Sequence, residues 1–226
     1  MLFDLGGTLV EADAVHPGEI FRRILTYVGI SKSLDETKSA VLNADKEAEA
    51  TNLVSLFGKI QCEEYWHKWN SLVLKHLGLE KNEELAKAVH SRWFDFMGFT
   101  LYPDSKEVPR ELRLRGLKLG LVSNGYEEEI HLILEKVNLE KPTFDIIVGV
   151  DTVQCMKPHP DIFKCALEKL NVKPEETVFV GDDVERDYKG ATNVGMYALL
   201  VNRTGEQKQS GLKIIKNLKE ILSQID

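Results

Sequence analysis

The sequence contains few cysteines and no long apolar run. Its three cysteines, Cys62, Cys155 and Cys165, are odd in number and lack the spacing of metal ligands. They predict reduced thiols in a cytoplasmic protein, not a disulfide framework or a catalytic thiol. No apolar run approaches the roughly 20 residues that cross a bilayer, and no basic segment followed by an apolar one opens the chain. We therefore expect neither a membrane span nor a secretory signal.

The chain also lacks a surplus of basic residues. Its formal net charge is −7, from 36 acidic and 29 basic side chains. Because proteins bind the phosphate backbone of nucleic acids through Lys and Arg, this balance argues against nucleic acid as the main partner. The length of 226 residues and a hydrophobic share of 43% are ordinary for a globular protein. They allow one large domain or a domain with a smaller insert, and we expect a monomer or a homodimer.

The spacing of apolar residues divides the chain into three parts. A short apolar strand over residues 1–3 ends at Asp4, before Gly6 and Gly7, and its shortness leaves open a start upstream of Met1. Helical spacing then predicts helices near residues 20–28, 33–56, 63–77 and 82–96. After Pro103, strands near 117–122, 144–150, 177–180 and 196–201 alternate with helices near 106–114, 126–137, 161–170, 187–193 and 214–225.

This alternation of strands and helices predicts an α/β fold. Strands separated by helices form βαβ units with parallel strands, and continuous apolar strands are typical of a sheet covered on both faces. The helical stretch, about residues 13–100, interrupts the sheet directly after its first strand. We therefore predict a parallel-sheet core with an inserted all-helical part.

Polar residues follow several of the predicted strands at the point where each strand ends. In an open parallel sheet, ligands bind beyond these carboxyl ends. The residues that this rule brings to one edge are Asp4, Ser123, Asn124, Lys157, Asp182 and Asp183. Each alone also has a structural interpretation, as a turn cap, a helix N-terminus or a surface lysine. Their convergence favours a functional site.

The types of these residues predict metal-assisted phosphoryl chemistry. Asp4 and Asp182, on adjacent strand ends, would repel each other unless a cation lay between them, and oxygen ligands suit Mg²⁺. A carboxylate can also attack phosphorus and form an aspartyl-phosphate. Lys157, the Ser123 hydroxyl and the backbone amides of the glycine-rich turn would then stabilise the phosphoryl oxygens.

Four segments carry a resemblance to a known family. Residues 3–9 (FDLGGTL), 121–125 (LVSNG), 157–160 (KPHP) and 180–191 (VGDDVERDYKGA) resemble, in order, the four motifs of the haloacid dehalogenase-like (HAD) superfamily. The resemblance implies a Rossmann-like, doubly wound parallel-sheet core over residues 1–12 and 101–226. It also implies a helical cap of the C1 type over residues 13–100.

The resemblance assigns roles to residues by their positions in these motifs. Asp4 is the implied nucleophile, and Asp4, the backbone carbonyl of Gly6 and Asp182 are the implied ligands of a Mg²⁺ cofactor. Asp183 and Asp187 would support the metal site from nearby. The implied activity is that of a Mg²⁺-dependent phosphatase on a small phosphorylated metabolite.

The remaining implied roles concern the substrate. Ser123 and Lys157 would act in catalysis, Ser123 by binding the transferring phosphoryl group and Lys157 by pairing with that group and with Asp4. Gly7 and Asn124 would complete the substrate-binding residues.

One position departs from the family pattern. Most phosphatases of the family carry a second aspartate two residues after the nucleophile as general acid and base, and Gly6 stands there instead. A positioned acid or base contributes ~10²–10⁴-fold in rate, so we expect slower turnover or a substitute. Water could replace it, as could Glu11, Asp13 or His16, which follow the motif closely.

Gly6 also leaves three other functions open. Haloacid dehalogenases share the fold but typically carry a bulky aromatic residue at this position. Phosphonate hydrolases carry a small residue there and a cap lysine that forms a Schiff base, for which Lys59 and Lys68 are candidates. A non-catalytic phosphate-sensing module that has lost its acid and base is the third alternative.

The predicted cap contains a group of aromatic residues. Its members are Trp66, Trp69 and Trp93, with His67 between the first two. Aromatic residues at helical spacing are more typical of a core than of a substrate pocket, and both interpretations are kept. The sequence does not distinguish a sugar phosphate, a triose phosphate or a nucleotide as substrate.

Overall fold

The protein is described here from a computed structural model that covers residues 1–13, 16–79, 82–139, 143–203, 205 and 211–224. The chain forms two compact units, one of Met1–Glu11 with Thr100–Asp226 and one of Ala12–Phe99. These divisions lie one residue from the predicted boundaries. The assignment of the units as a core domain and a cap domain stays a prediction.

The elements follow one another with the alternation that the sequence predicts. In chain order the strands are β1 (Leu2–Phe3), β2 (Val10–Ala12), β3 (Phe99–Leu101), β4 (Gly120–Val122), β5 (Ile146–Val148), β6 (Val178–Gly181), β7 (Tyr197–Val201) and β8 (Ile214–Ile215). The α-helices are α1 (Pro17–Tyr27), α2 (Leu34–Ala50), α3 (Cys62–His76), α4 (Glu83–Met97), α5 (Glu107–Leu114), α6 (Glu127–Lys136), α7 (Val150–Val153), α8 (Pro160–Leu170), α9 (Gly190–Asn193) and α10 (Lys219–Leu222). Short 3₁₀ turns cover Leu53–Leu56 and Pro174–Glu176, and a π-helical turn covers Val184–Lys189.

Six strands form one parallel sheet in the order β5-β4-β1-β6-β7-β8, and β2 pairs with β3 in a separate two-stranded sheet. The short β1 lies between β4 and β6, with Leu2 in register with Gly120 and Phe179. The α/β class with a parallel sheet is therefore confirmed. Because β1 and β6 are neighbours, the residues that follow them meet at the same edge.

Apolar side chains from sheet and helix explain why β1 can be so short. Leu2 and Phe3 are fully buried, and the neighbouring strands supply further buried residues. Ile162 and Phe163 of α8 pack in the same cluster as Leu2 and Phe179. Burial of this kind stabilises by about 25 cal/mol per Å² of apolar surface, so a two-residue strand is held by its neighbours and not by its own length.

The bounds of several predicted elements differ in the structure, and three of these differences change how a segment folds. The helix predicted over 33–56 ends at Ala50 and gives way to the turn at Leu53–Leu56, because Asn52 adopts a left-handed φ of 60°. The strand predicted over 144–150 ends at Val148, and α7 begins at Val150.

The third difference concerns the C-terminal segment. The helix predicted over 214–225 is wrong at its start: Ile214 and Ile215 form the edge strand β8 beside β7, and α10 spans only Lys219–Leu222. Residue 225 lies outside the described part. Two consecutive β-branched residues favour a strand, and the apolar stripe at helical spacing hid this preference.

The second unit contains α1–α4, and its aromatic residues form a packed group. The ring centroids of Trp69 and Trp93 lie 5.8 and 5.5 Å from that of Phe21. Trp69 is buried, and its indole N–H donates to Asp45 at 2.9 Å. Trp69 is thus a core residue, while contact of the other aromatic residues with substrate stays a prediction. Among the helices that the structure describes, none has both the length and the apolar character to cross a membrane.

Candidate active site

Three carboxylates meet where β1 and β6 end. Asp4 directly follows β1, and its backbone N–H donates to Val180 O at 2.9 Å, which continues the pairing with β6. Asp182 follows β6, and Asp187 lies in the π-helical turn. One oxygen from each of the three side chains lies within 4.8 Å of the others. Asp4 and Asp182 are therefore close enough to share one cation.

A buried lysine joins two of these carboxylates. Lys157 Nζ donates to Asp4 Oδ1 at 2.5 Å and to Asp187 Oδ1 at 2.6 Å. Lys157 is 4% exposed, Asp4 8% and Asp187 2%, so the three charges lie largely out of water. A buried ion pair is retained only where the geometry is good, because both charges lose their hydration. The hydrogen bond from the lysine goes to Asp4 Oδ1, so Asp4 Oδ2 is the carboxylate oxygen that this bond leaves open.

The two residues after β4 make different contacts. Ser123 is half-buried, and its backbone N–H donates to Val148 O at 3.1 Å, so the residue lies where β4 ends. The Asn124 side chain instead holds the backbone of Lys157: its Nδ2 donates to Lys157 O at 3.1 Å, and its Oδ1 accepts from Lys157 N at 2.7 Å. Asn124 thus orients the lysine, and its role in substrate binding stays a prediction.

Burial and charge shift the pKa values of this group in a consistent way. Burial, only partly offset by Lys157, raises the pKa of Asp4 to about 7, and the charge of Asp187 adds to the rise. Burial and Asp187 also raise the pKa of Asp182. Burial lowers the pKa of Lys157, but Asp4 and Asp187 outweigh it and the net pKa is raised, so the ammonium stays charged. The charge of Lys157 alone therefore does not stabilise the ionised forms of Asp4 and Asp182 enough to offset their burial.

The donor set fits a divalent cation. The three carboxylates and the ammonium in contact with two of them carry a net charge of −2 when all are ionised. Oxygen ligands of this kind are those of Mg²⁺. Both oxygens of Asp187 already accept hydrogen bonds, from Lys157 Nζ and from the backbone N–H of Asp183 at 3.0 Å. Asp187 is thus better placed to orient the site than to bind the ion directly.

Gly6 contributes an accessible backbone carbonyl, whereas Gly7 leaves space for a neighbouring carboxylate. Gly6 is exposed, and no hydrogen bond from the described part of the protein reaches its carbonyl, so this oxygen is available as a ligand. Gly7 has a φ of +73°, and its N–H donates to Val10 O at 2.8 Å. A Cβ at Gly7 would overlap the Asp182 carboxylate. Gly7 therefore provides room for Asp182, and the use of its amide by a substrate stays a prediction.

Asp183 shapes the turn that carries Asp187. Its Oδ1 accepts from the backbone N–H groups of Glu185 at 2.9 Å and Arg186 at 2.7 Å. Its Oδ2 pairs with Arg186 Nη2 at 2.8 Å. Burial raises the pKa of Asp183, but these donors outweigh it and the net pKa is lowered. The side chain is thus a charged cap of the turn, and direct support of a metal by Asp183 stays a prediction.

The three candidates for a substitute general acid lie in different parts of the structure. Glu11 is exposed at the end of the first unit's N-terminal segment. Asp13 and His16 belong to the second unit, where the Asp13 N–H donates to Gly98 O and His16 Nδ1 caps α1 by accepting from Gly18 N. His16 therefore has a structural role, while the roles of Glu11 and Asp13 stay predictions.

The lysines considered for a Schiff base are both exposed in the second unit. Lys68 Nζ lies 3.5 Å from Glu64 one helical turn away. A Schiff-base lysine is commonly desolvated, which lowers its pKa. The setting of Lys59 and Lys68 does not favour the phosphonate hydrolase alternative.

Comparison with known proteins identifies the family of the chain. A family described as "Haloacid dehalogenase-like hydrolase" matches residues 1–201. The chain belongs to this family of hydrolases. A glyceraldehyde 3-phosphate phosphatase from Methanocaldococcus jannaschii is 27% identical over 97% of this chain and 98% of its own. An (S)-2-haloacid dehalogenase from Pseudomonas fluorescens is 26% identical over 97% of this chain and 93% of its own.

A solved structure of a HAD-family protein gives the same result for the fold. The HAD phosphatase from Thermococcus onnurineus superimposes with a TM-score of 0.65 at 29% sequence identity, and the match covers 99% of this chain and 96% of that chain. The predicted superfamily is therefore confirmed, whereas the cap type and the subgroup with glycine at position 6 stay predictions.

Sequence reasoning missed a charged side chain that contacts the loop after Asp4 in this HAD hydrolase. Arg203 contacts the carbonyl of Thr8 and pairs with Asp104. A signal existed, since Arg203 follows β7 by two residues and so lies at the same edge of the sheet as Asp4. The contact itself could not be predicted, because Arg203 binds a backbone carbonyl. Every residue type has such a carbonyl, so no sequence motif indicates which one is bound.

Gly7 provides a stability test of the site. We expect Gly7→Ala to lower the free energy of unfolding by more than the about 1–2 kcal/mol that left-handed backbone costs an alanine, because the methyl group would also displace Asp182. Gly116→Ala is the matched control, since Gly116 has a φ of +81° and no atom within 4 Å of a Cβ. Urea unfolding of both variants measures the difference. Equal losses would show that Asp182 does not pack against Gly7.

Proposed function

We propose that this HAD hydrolase is a Mg²⁺-dependent phosphatase that acts on a small phosphorylated metabolite through an aspartyl-phosphate at Asp4. The observation that carries the proposal is the buried contact of Lys157 with both Asp4 and Asp187, with an oxygen of Asp182 within 4.8 Å. The group combines a nucleophile, a fixed positive charge and a set of oxygens that suits a divalent cation.

The first step is the attack of Asp4 Oδ2 on phosphorus, in line with the ester oxygen of the substrate. The P–O bond to the alcohol breaks, and an acyl phosphate forms on Asp4. Lys157 keeps Asp4 oriented and neutralises the phosphoryl oxygens, and the Ser123 hydroxyl donates to one of them. Since Gly6 has no side chain, a water molecule supplies the proton that the leaving alkoxide takes up, and the hydroxide that remains passes to the solvent.

The second step is hydrolysis of the acyl phosphate. A water molecule attacks phosphorus, the bond to Asp4 Oδ2 breaks, and inorganic phosphate leaves with Asp4 restored as a carboxylate. Asp4, the Gly6 carbonyl and Asp182 would hold Mg²⁺, which supplies positive charge for the transferring group when bound. Lys157 remains charged throughout, because its raised pKa lies well above neutral pH.

Relatives support a small phosphate ester as the substrate. The phosphatase from Methanocaldococcus jannaschii acts, by its name, on glyceraldehyde 3-phosphate, and it aligns over 98% of its length. A triose phosphate is thus the first substrate to test. The similar (S)-2-haloacid dehalogenase keeps halide release as a second candidate activity, since the nucleophilic carboxylate of that chemistry would also be Asp4.

A substrate panel with wild type and Asp4→Asn tests the proposal. We expect phosphate release from at least one phosphomonoester, abolished by EDTA and by Asp4→Asn but kept by the exposed control Asp161→Asn. Halide release from a 2-haloacid, measured in parallel, would favour dehalogenation instead. Mg²⁺-dependent binding of phosphate without turnover in any assay would favour the sensing module and overturn the proposal.

The raised pKa values predict how Mg²⁺ stabilisation changes with pH. Without metal, Asp4 is protonated below about pH 7, so the native state binds more protons than the unfolded chain and stability falls as pH rises. Mg²⁺ competes with these protons, so we expect its shift of the melting temperature to be larger at pH 8 than at pH 5.5. Scanning fluorimetry with and without Mg²⁺ measures this. A shift of the same size at both pH values, or an unchanged shift in Asp4→Asn, would contradict Asp4 as a ligand.

A further inference from the structure

Arg203, which lies far away in sequence, binds the loop that contains Asp4. We call residues 4–10 the nucleophile loop. Arg203 Nε donates to Thr8 O at 3.1 Å, and Arg203 Nη2 donates to the same oxygen at 2.5 Å. A fork of two N–H donors on one carbonyl fixes its direction as well as its distance. Thr8 is fully buried, so its carbonyl has little access to water.

Arg203 is itself held in place by a buried ion pair. Its Nη2 and Nη1 lie 3.0 and 3.3 Å from the two carboxylate oxygens of Asp104. The guanidinium carbon lies 3.8 Å from the ring centroid of Tyr102. Asp104 also accepts from the backbone N–H of Leu218 at 2.6 Å. The guanidinium is thus fixed by charge on its edge and by an aromatic ring on its face, and little rotamer freedom remains.

Hydrogen bonds within the nucleophile loop connect the backbone around Thr8 to the backbone around Asp4 and Gly6, so a shift of Thr8 would also shift these two residues. Leu5 O accepts from the N–H groups of Leu9 at 2.9 Å and Val10 at 3.0 Å, and Gly7 N donates to Val10 O at 2.8 Å. These bonds make a tight turn with Asp4 at its start. A Cβ placed at Gly7 would overlap Asp182 Oδ2, so little space separates the turn from this carboxylate and a shift of the turn would also move Asp182.

We propose that Arg203 is a positioning residue, which sets the distance of Asp4 and the Gly6 carbonyl from Asp182 by holding Thr8 O. The effect on turnover rests on the proposed phosphatase function, whereas the effect on the loop does not. Misplacement of a reacting group by about 1 Å can lower the rate about 100-fold. Lysine cannot replace Arg203, since its ammonium lacks the rigid fork of donors that both Thr8 O and Asp104 engage.

Two variants keep the test independent of misfolding. Arg203→Lys retains the charge that faces Asp104. The double variant Asp104→Asn with Arg203→Met removes both buried charges together, which proteins often tolerate, and the asparagine side-chain oxygen can still accept from the Leu218 N–H. Arg113→Met is the control, because Arg113 pairs with Asp145 at 2.9 Å in a more exposed ion pair of the same unit. Each variant is the full chain.

Hydrogen exchange of individual amides, followed by NMR, measures the loop directly. We expect the amides of Leu9 and Val10 to exchange about tenfold faster in both Arg203 variants, as for the loss of a charge-assisted hydrogen bond, with those of Leu121 and Val180 unchanged. For turnover, we expect a fall in kcat of about 10–100-fold with a nearly constant KM. Exchange that accelerates equally in loop and sheet, or in neither, would overturn the proposal. Loop acceleration with wild-type kcat in both variants would overturn it as well, whereas a wild type without turnover would count against the phosphatase alone.

Discussion

Lys157→Met is expected to lower kcat for phosphate release by at least about 100-fold, the range found when a preorganised group at a developing charge is removed. Lys157 Nζ lies 2.5 Å from Asp4 and 2.6 Å from Asp187, and methionine keeps a side chain of similar length without the charge. Asp4 would then be repelled by Asp187 and would titrate at still higher pH. Fewer enzyme molecules would carry an ionised nucleophile at neutral pH.

The same variant is expected to lose stability in a way that Mg²⁺ partly restores. Removing one partner of a buried ion pair typically destabilises by about 3–5 kcal/mol, because the other charge stays buried without a counter-charge. A bound divalent cation would supply that counter-charge, so the free energy of unfolding should fall most in EDTA. Urea unfolding in EDTA and in Mg²⁺ measures both values.

The control for Lys157→Met is Lys164→Met. Lys164 is an exposed lysine of α8 whose Nζ lies 3.9 Å from Asp161, and exposed pairs contribute about 0–1 kcal/mol. We expect the control to match wild type in kcat and in stability. A Lys157→Met enzyme with wild-type kcat would show that the nucleophile is not Asp4 or does not need the lysine.

The architecture of this hydrolase could be predicted because it depends on local pattern. Apolar strands that alternate with amphipathic helices determine a parallel sheet, and residues after strand ends then gather at one edge. Asp4 and Asp182 are 178 positions apart in the chain, yet they directly follow the adjacent strands β1 and β6. The strand rule needs no knowledge of side-chain contacts, and this is why it works from sequence.

The details of the site could not be predicted because they depend on contacts between side chains and distant backbone. The Asn124 side chain holds the backbone of Lys157, and Arg203 holds the carbonyl of Thr8, 195 residues earlier in the chain. A backbone group has the same chemistry at every position, so the sequence carries no sign of which one is bound. The edge strand β8 depends on its pairing with β7, since Ile214 and Ile215 alone are too few to show a strand period against the helical spacing of the residues that follow.

Gly6→Asp is expected to raise kcat, by up to the ~10²–10⁴-fold that a positioned general acid and base contributes. Gly6 is exposed, its backbone lies outside the left-handed region, and no heavy atom lies within 4 Å of a Cβ placed there. An aspartate side chain therefore fits without strain, two residues after Asp4. It would protonate the leaving alkoxide in the first step and take a proton from water in the second.

Gly6→Asn separates this chemistry from the effect of added bulk. Asparagine has nearly the size and shape of aspartate but no proton to exchange at neutral pH, so we expect kcat to stay near wild type or to fall. The pH profile of kcat should gain an acidic limb in Gly6→Asp that is absent from Gly6→Asn. If Gly6→Asp instead matches Gly6→Asn, the wild-type enzyme already has an acid in place, and the proton does not come from bulk water. That proton would then come from a side chain that reaches Asp4 in the working enzyme. Glu11 and Asp13 would be the residues to substitute next.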